Sequence, residues 1–304
     1  MNKNIIVITG VNGFIGSNIT IHFLRNSFKV IGLARSTSNL SRCKGFLEND
    51  NFTLLTYDSG NWMDFLKSLP NKIVLIHTAW QGVTANERAD WAIQFKNLEF
   101  GFKLLLLAKE FSIAKMIALG SQAEYGKFEG RIDETHICKP DTAYGFFKNL
   151  LSQIWGRFCD ENNIQWFWLR LFSVYGSMED DHWFISNLIN RLQKNEDVEL
   201  TGCGQKYDYL FVEDLSKNIE SVINSNNDSL SGFYNLSSNH SIELREVAST
   251  VKELISSNGN LFFGTITYRE KQIMHIEGDS NKFKKQFGLI TGNMKLNISK
   301  MINK

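Results

Sequence analysis

Short apolar runs alternate with longer stretches of helical periodicity along the first half of the chain. Residues 5–8 are four consecutive β-branched side chains, a run that is typical of a strand buried on both faces of a parallel sheet. The same reasoning predicts strands at 29–33, 53–55, 72–76, 115–119 and 165–169. Apolar residues at helical spacing predict helices at 17–26, from 64 onward, at 91–111 and at 143–162. This alternation indicates an α/β fold with a doubly wound parallel sheet and right-handed crossovers.

After Tyr175 the alternation becomes weaker. The pattern still predicts helices at 183–194, 214–225 and 244–256, and strands at 198–200, 209–212 and 233–236. We therefore predict a first domain over 1–172, to which 208–238 returns, and a smaller mixed α/β C-terminal lobe over 173–304. The change from the first domain to the second is expected near 171–176.

Composition and charge exclude several classes of partner. The chain has 304 residues and a formal net charge of +1, from 33 basic and 32 acidic residues. Such a balance builds no basic field, so we expect no nucleic-acid partner. The longest apolar stretches, such as 104–108, are too short to cross a bilayer, so no membrane association is expected. Residues 1–4 lead directly into the first strand without the apolar core of a signal peptide, which favours a cytoplasmic protein.

The four cysteines lie far apart in the sequence, and no two of them form a CxxC pair. They are Cys43, Cys138, Cys159 and Cys203. This spacing predicts free thiols, with neither a disulfide framework nor a metal site.

A glycine-rich loop stands between the first predicted strand and the first helix. Its glycines have the spacing that allows a tight turn, a close approach of the backbone to a pyrophosphate, and packing of the helix on the strand. The first amides of the helix and the positive end of its dipole then face the phosphates. The loop therefore predicts a Rossmann-type dinucleotide-binding domain. The cofactor-binding residues expected in this loop are Gly10, Asn12, Gly13, Phe14, Ile15 and Gly16.

The end of the second strand bears on which dinucleotide is bound. NAD sites usually place a carboxylate about 20 residues after the glycines, to bind the ribose 2′-hydroxyl. Ala34 stands at that position here, and Arg35 follows it. The planar guanidinium of Arg35 can pair with a 2′-phosphate, and Ser36 can add a hydrogen bond. These residues predict NADP(H) as the cofactor.

A serine, a tyrosine and a lysine have the spacing of an acid–base site. Tyr144 and Lys148 are four residues apart on a predicted helix, so they share one face a turn apart. A nearby ammonium favours the phenolate and can lower a phenol pKa that ordinarily lies near 10. Ser121 follows the fifth strand at the carboxyl edge of the sheet, where such folds bind ligands. Its hydroxyl could bind the carbonyl oxygen that Tyr144 also contacts.

In this order the glycine loop, Ser121 and the Tyr144–Lys148 pair resemble the extended short-chain dehydrogenase/reductase family. This family contains nucleotide-sugar epimerases, dehydratases and reductases. The resemblance covers the chain from residue 5 to about residue 214. It implies that Ser121, Tyr144 and Lys148 are the catalytic trio, and that Lys148 also binds the nicotinamide ribose.

Further segments carry the same resemblance. Asp58 stands at the adenine-binding position after the third strand, and Thr78 and Ala79 follow the fourth strand. Segments 169–176 and 208–214 also match the family pattern. The resemblance adds Asp58, Thr78 and Ala79 to the expected cofactor-binding residues.

The residues after Ser121 narrow the choice of reaction. The 4,6-dehydratases of the family carry an Asp-Glu pair directly after the serine or threonine, whereas Gln122 and Ala123 stand here, and Glu124 is one place too late. A 4-ketoreductase needs only the trio and NADPH. We therefore expect reduction of a nucleotide-linked 4-keto-6-deoxyhexose in the synthesis of deoxysugars for surface polysaccharide such as O-antigen. The alternatives are an NAD(P)-dependent nucleotide-sugar 4-epimerase and, from another class, a non-catalytic dinucleotide-binding scaffold or sensor.

Substrate-binding residues are expected at Trp80, Gln122, Ser173, His182, Trp183 and Arg269. Two positions depart from the family pattern. Tyr207 stands where an arginine commonly binds the substrate diphosphate, and Ser173 stands where asparagine is usual. Lys206 or Arg269 is the candidate replacement for the missing arginine.

The predicted helices at 91–111 and 143–162 carry more apolar surface than one buried stripe needs. In the family the equivalent pair forms a four-helix dimer interface. The resemblance therefore implies a homodimer through these helices, and the alternative is a monomer in which both helices pack on the core.

Overall fold

The computed structural model describes residues 4–58, 62–69, 73–111, 113–225, 230–270, 272–288 and 292–303. The chain divides into two compact units, each of which is built from several segments. The first unit consists of Met1–Lys127, Ile137–Leu171 and Ile219–Tyr234. The second unit consists of Phe128–His136, Phe172–Asn218 and Asn235–Lys304.

The elements are numbered in chain order over the described residues. The strands are β1 Ile5–Thr9, β2 Val30–Ala34, β3 Phe52–Thr56, β4 Ile73–His77, β5 Ile113–Ser121, β6 Gly130–Ile132, β7 Gln165–Leu171, β8 Ser173–Tyr175, β9 Val198–Leu200, β10 Lys206–Phe211, β11 Gly232–Leu236, β12 Ser241–Glu243, β13 Leu261–Phe263 and β14 His275–Gly278. The helices are α1 Phe14–Arg25, α2 Trp62–Lys67, α3 Trp91–Glu110, α4 Ala143–Glu161, α5 Phe184–Gln193, α6 Val212–Asn224, α7 Leu244–Ile255, α8 Asn281–Phe287 and α9 Met294–Ile302. Short 3₁₀ turns lie at Ser41–Cys43, Glu87–Ala89 and Gln122–Glu124.

The first unit is built on a seven-stranded sheet in the order β11-β7-β5-β4-β1-β2-β3. From β3 to β7 every neighbouring pair in this order is parallel. Every residue of β1, β2 and β4 is buried, which is why these strands are apolar without alternation. The predicted Rossmann-type doubly wound sheet is confirmed. Lys72, the predicted first residue of the fourth strand, lies outside the described residues.

Helices α3 and α4 pack on this sheet and against each other. Leu104 and Leu105 of α3 join Leu151 and Trp155 of α4 in one apolar cluster with the strands. Gly101 lies where the helices meet, and a Cβ there would stand 2.5 Å from the Leu151 side chain, which would have to shift.

The second unit has a smaller mixed sheet centred on β10. This strand pairs in parallel with β8 and β14 and antiparallel with β12, and β14 pairs in turn with β6. Side chains of α5, α7 and α9 form the apolar cluster of this unit. Because β10 bonds to these strands, the residues from 208 up to Asn218 lie in the second unit. The sequence analysis predicted that 208–238 returns to the first unit, but only Ile219–Tyr234 of this segment does so. The structure also ends β10 at Phe211 and starts α6 at Val212, which the sequence pattern assigned to the strand.

The described part of the chain contains no helix with the combined length and apolar character of a membrane-spanning segment.

Candidate active site

The glycine loop joins β1 to α1 in a conformation that leaves no room for side chains at two of its positions. Gly10 has a φ of +71°, and a Cβ there would lie 2.7 Å from the backbone of Ala79. A Cβ on Gly16 would collide with the carbonyl oxygen of Gly10 and would lie 2.8 Å from the Thr78 hydroxyl. Thr78 itself donates to the Thr9 carbonyl at 2.6 Å, so the two strand ends are bonded side by side.

The start of α1 is open to an anion. Gly13 caps the helix without a side-chain hydrogen bond, and its first turn holds no acidic residue. Unpaired amides and the positive dipole end are the features by which a helix start binds phosphate. Phe14 and Ile15 are its first two residues and are half-buried, and Asn12 donates weakly to the Asn39 carbonyl at 3.4 Å.

At the end of β2, Arg35 and Ser36 are both exposed while Ala34 is buried. The amide and the hydroxyl of Ser36 donate to the two carboxylate oxygens of Asp58, at 2.8 and 3.0 Å. These hydrogen bonds hold the pKa of Asp58 below its ordinary value, and the bond from the Ser36 amide has the largest effect. The guanidinium of Arg35 acts on Asp58 and on Tyr57, where it opposes the rise of the Tyr57 pKa that burial causes. The structure thus groups Arg35, Ser36 and Asp58 at one strand end.

Tyr144 and Ser121 are brought together by α4 and the end of β5. Tyr144 lies in the first turn of α4 and its side chain is buried. Burial raises its pKa, while the charge of Arg88 and a side-chain hydrogen bond with Ser121 act in the opposite direction. The Ser121 hydroxyl also accepts from the Ala123 amide at 3.2 Å, which fixes it at the edge of the sheet.

Lys148 lies one turn after Tyr144 and is also buried. Its ammonium donates to the Leu119 carbonyl at 2.6 Å and lies 3.8 Å from the centre of the Trp80 indole. Burial lowers the pKa of Lys148 to about 7. Trp80 also meets the Tyr144 ring edge-on, with 6.0 Å between centroids. The indole therefore packs against both members of the Tyr-Lys pair.

His77, the last residue of β4, is buried close to Lys148. Burial and the Lys148 charge lower its pKa to about 3, so the ring is neutral at physiological pH. Its Nδ1 shares a hydrogen bond of 2.8 Å with the Thr9 hydroxyl, and its plane stacks on Trp155.

Glu124 is fully buried beneath Ser121. Its Oε1 accepts from the Ser121 amide at 2.8 Å and from the Trp168 indole at 2.9 Å. Its Oε2 accepts from Arg170 at 2.9 Å, and the same guanidinium donates to the Tyr125 hydroxyl. Burial acts to lower the pKa of Arg170, but the charge of Glu124 opposes burial and the pKa is raised. This carboxylate is held by a permanent cation and two N–H donors, and sequence reasoning had treated it only as a residue out of register.

Two buried amides of α3 position the loop after β4, and the sequence analysis missed both. Gln94 accepts from the Trp80 indole at 2.8 Å and donates to the Gly82 carbonyl at 2.8 Å. Asn97 accepts from the Gln81 amide at 2.7 Å and donates to the Gln81 carbonyl. The sequence signal that could have revealed Gln94 and Asn97 is a pair of polar residues three positions apart on the apolar face of α3. Of the other substrate candidates in this unit, Gln122 has a buried Oε1 with no hydrogen-bond partner among the described residues.

The remaining substrate candidates lie in the second unit. Ser173 opens β8 and pairs with Tyr209 of β10. His182 and Trp183 are exposed just before α5, with ring centroids 5.1 Å apart.

Arg269 is exposed and acts on Tyr207, the residue at the position where the family commonly has arginine. Burial raises the Tyr207 pKa, and a hydrogen bond from Gln272 and the Arg269 charge oppose that rise. The Gln272 amide donates to the Tyr207 hydroxyl at 2.7 Å. Lys206, the other candidate replacement, is exposed at the start of β10.

The sequence profile of the NAD dependent epimerase/dehydratase family matches residues 6–237. The chain belongs to this family. Its β1–loop–α1 segment and seven-stranded sheet are those of the extended short-chain dehydrogenase/reductase fold.

Two curated members of the family resemble the chain over most of its length. The dTDP-6-deoxy-L-talose 4-dehydrogenase (NAD(+)) of Aggregatibacter actinomycetemcomitans is 28% identical over 264 residues, which is 83% of this chain and 90% of the relative. The CDP-abequose synthase of Yersinia pseudotuberculosis is 25% identical over 275 residues, 88% of this chain and 90% of the relative.

Among solved structures of similar fold is a UDP-N-acetylglucosamine 4-epimerase from Methanobrevibacter ruminantium, in complex with UDP-N-acetylmuramic acid. Its TM-score is 0.86 at 20% identity, with 100% of this chain and 98% of that chain covered. At this identity the likeness bears on the fold.

The family depends on a nicotinamide dinucleotide, and the residues present fit such a group. A Cβ at Gly10 or Gly16 would have no room. The glycines therefore leave the loop backbone accessible next to the start of α1. Gly10, Gly13 and Gly16 with the first turn of α1 would hold the pyrophosphate. Arg35, Ser36 and Asp58 are the polar groups at the end of the neighbouring strand.

Proposed function

We propose that the protein is an NADPH-dependent 4-ketoreductase that acts on a nucleotide-linked 4-keto-6-deoxyhexose, in the synthesis of deoxysugars for surface polysaccharide. The two curated relatives support the substrate class, since they are named for dTDP-6-deoxy-L-talose and CDP-abequose, both nucleotide-linked deoxysugars. The name of the first relative also supports oxidoreduction at C4.

The burial and hydrogen bonding of Glu124 are the observation on which the choice between reduction and dehydration rests. Elimination of water from a sugar needs an acid or base that can exchange a proton with substrate, and in the 4,6-dehydratases of the family two carboxyl groups after the serine or threonine do this. Glu124 is wholly buried, and the three hydrogen bonds described above for its carboxylate come from donors of the fold. The two residues between Ser121 and Glu124 are Gln122 and Ala123, which supply no acid or base. This favours simple reduction over dehydration.

Tyr144 supplies the proton in the proposed reaction. When bound, the reduced dinucleotide supplies a hydride to the keto carbon. The Tyr144 hydroxyl gives its proton to the keto oxygen as the C–O double bond becomes a single bond, and the hydroxyl of Ser121 donates a hydrogen bond to the same oxygen. Their mutual hydrogen bond supports this assignment, because both groups then face one point.

Lys148 supports Tyr144 in two ways. Its ammonium contacts the Leu119 carbonyl and the Trp80 ring and would bind the ribose hydroxyls, as the family resemblance implies. With a pKa of about 7, Lys148 exchanges protons readily near neutral pH, so it can help to reprotonate the phenolate after each turnover.

We further propose that the cofactor is NADP(H). An exposed arginine follows a buried alanine at the strand end, and that alanine stands at the position where NAD sites usually carry a carboxylate. The family name and the first curated relative refer to NAD, so the preference of this chain is a separate question with its own test.

Replacing Arg35 by alanine should weaken NADPH binding about tenfold or more and leave NADH binding unchanged, because a charge-assisted pair with the 2′-phosphate contributes about 1.5–3 kcal/mol. Dissociation constants from the quenching of protein fluorescence measure both effects. Arg25→Ala removes an exposed arginine at the far end of α1 and serves as the matched control. Equal losses for the two cofactors, or tighter binding of NADH by the unaltered protein, would count against NADP(H).

We also propose a homodimer through α3 and α4. Large apolar side chains on these helices are exposed: Trp91 58%, Phe95 48%, Phe102 43%, Leu106 44% and Phe146 42%. Monomeric proteins rarely expose so many together. Light scattering should give twice the chain mass of 34.9 kDa, and a monomer mass would reject the proposal.

The proposed reaction is tested with purified protein, NADPH and the dTDP-, CDP- and GDP-linked 4-keto-6-deoxyhexoses. Loss of cofactor absorbance in proportion to product supports the ketoreductase. The 4-epimerase alternative is tested with nucleotide-linked hexoses that carry a 4-hydroxyl group, and their interconversion at C4 without net change of cofactor would assign a 4-epimerase instead. Tight dinucleotide binding with no turnover on any of these sugars would indicate a scaffold or sensor.

A further inference from the structure

An arginine outside the trio lies over the ring of Tyr144. The Cζ atom of Arg88 is 4.8 Å from the centre of that ring. Neither the sequence pattern nor the family resemblance drew attention to this residue. A guanidinium at this distance from an aromatic face is attracted by the ring and restricts its position.

The position of Arg88 is built into the loop after β4. Its Nε donates to the Val83 carbonyl at 2.9 Å, and its own amide bonds to the Thr84 carbonyl. The adjacent Glu87 turns its carboxylate to the Thr84 hydroxyl at 2.6 Å, and its carbonyl accepts from the buried Gln94. The guanidinium is therefore held by the backbone of a loop that α3 fixes in place.

We propose that Arg88 is a positioning residue for Tyr144, which holds the phenol ring in place and stabilises the phenolate that remains after proton transfer. This inference rests on the proposed function of Tyr144 as the proton donor. A positive charge beside the ring favours the state with negative charge on the phenol oxygen, and that charge develops during the transfer.

The other groups that face Tyr144 make a permanent cation important. Ser121 offers a neutral hydroxyl from the end of β5, and Glu124 contributes a buried negative charge that opposes ionisation. Lys148, on the same helix, has its ammonium directed to Leu119 and Trp80, and burial brings its pKa to about 7. Arg88 contributes a guanidinium, the side-chain cation that is always charged in proteins. Trp80 faces the phenol without charge.

The first measurement needs no substrate. The phenolate absorbance of the intact protein is titrated with pH, and the titration of its Tyr144→Phe variant is subtracted to isolate Tyr144. The same pair is measured with Arg88→Gln, Arg88→Lys and the exposed control Arg25→Gln. We expect the Tyr144 midpoint to move up by about one pH unit with Arg88→Gln, and to stay in place with Arg88→Lys and Arg25→Gln. An unchanged midpoint in Arg88→Gln would overturn the proposal, and Arg88→Met repeats the test if the glutamine variant does not fold.

The second measurement follows turnover over a range of pH. Arg88→Gln should lower kcat about tenfold with KM for the dinucleotide unchanged, and Arg88→Lys should restore most of it. In the direction of alcohol oxidation, the rise of rate with pH should move to higher pH in Arg88→Gln. A loss that is equal for glutamine and lysine, with no movement of the pH profile, would reduce Arg88 to a structural role. If the unaltered protein turns over no sugar, the proposed function fails, while the titration still decides whether Arg88 acts on Tyr144.

Discussion

Replacing Tyr144 by phenylalanine should lower turnover about 10³-fold while the dissociation constant for the dinucleotide changes little. The change removes one oxygen, the atom that donates the proton in the proposed reaction, and a positioned general acid typically contributes about 10²–10⁴-fold. The ring keeps its contacts with Trp80 and Arg88, so the surrounding packing is preserved. Single-turnover consumption of NADPH with a keto-sugar substrate, alongside a binding titration of NADPH, measures both quantities.

A second buried phenol provides the control for this experiment. Tyr234 is 2% exposed and its hydroxyl donates to the Leu230 carbonyl, within the first unit. Tyr234→Phe removes the same atom from a buried ring and should leave turnover close to that of the unaltered protein. Comparable rates for Tyr144→Phe and Tyr234→Phe would contradict the role given to Tyr144 as the proton donor.

The first unit could be predicted from the sequence because each of its central strands is buried on both faces. Such strands appear as uninterrupted apolar runs, so β1, β2, β4, β5 and β7 were all predicted to within two residues at each end. Strand ends were missed where the chain continues into the site, as at Ser121, which the structure assigns to the last position of β5. In this unit the apolar runs of the sequence are the same residues that the fold buries.

The second unit was predicted less completely for a physical reason. Strands β6, β8, β12, β13 and β14 are three or four residues long and largely half-exposed, too short to establish a period of two. Their partners are also distant in the chain: Gly130 pairs with Ile276. No window of sequence contains both halves of such a ladder, and the departure of Phe128–His136 from the first unit has the same cause.

In the site, motifs within one segment of the chain could be predicted from the sequence, whereas contacts between segments far apart in the chain could not. Gly10 to Gly16, and Tyr144 with Lys148, are spacings within one segment, so the sequence displays them directly. Arg88, Gln94 and Asn97 act through a folded loop and a helix that pack together, and their spacing to Tyr144 carries no signal. The bond of Ser36 with Asp58 likewise depends on two parallel strands meeting at one edge.

Breaking the Glu124–Arg170 pair should cost far more stability than breaking an exposed ion pair of this chain. Arg170→Met keeps the volume of the side chain but leaves the Glu124 carboxylate buried without its cation. Removing one partner of a buried ion pair destabilises a protein by about 3–5 kcal/mol. The free energy of unfolding, measured in urea at unchanged m-value, should fall by that amount.

The surface pair of Arg157 and Glu161 is the matched control, since these side chains are 79% and 56% exposed and also bond through an arginine Nε. Arg157→Met should cost about 0.3–0.5 kcal/mol, as expected of an exposed pair one helical turn apart. The double variant Glu124→Gln with Arg170→Met should be more stable than the sum of its single changes, because it leaves no unpaired buried charge. If Arg170→Met costs no more than Arg157→Met, the prediction that the buried Glu124–Arg170 pair stabilises the fold is wrong.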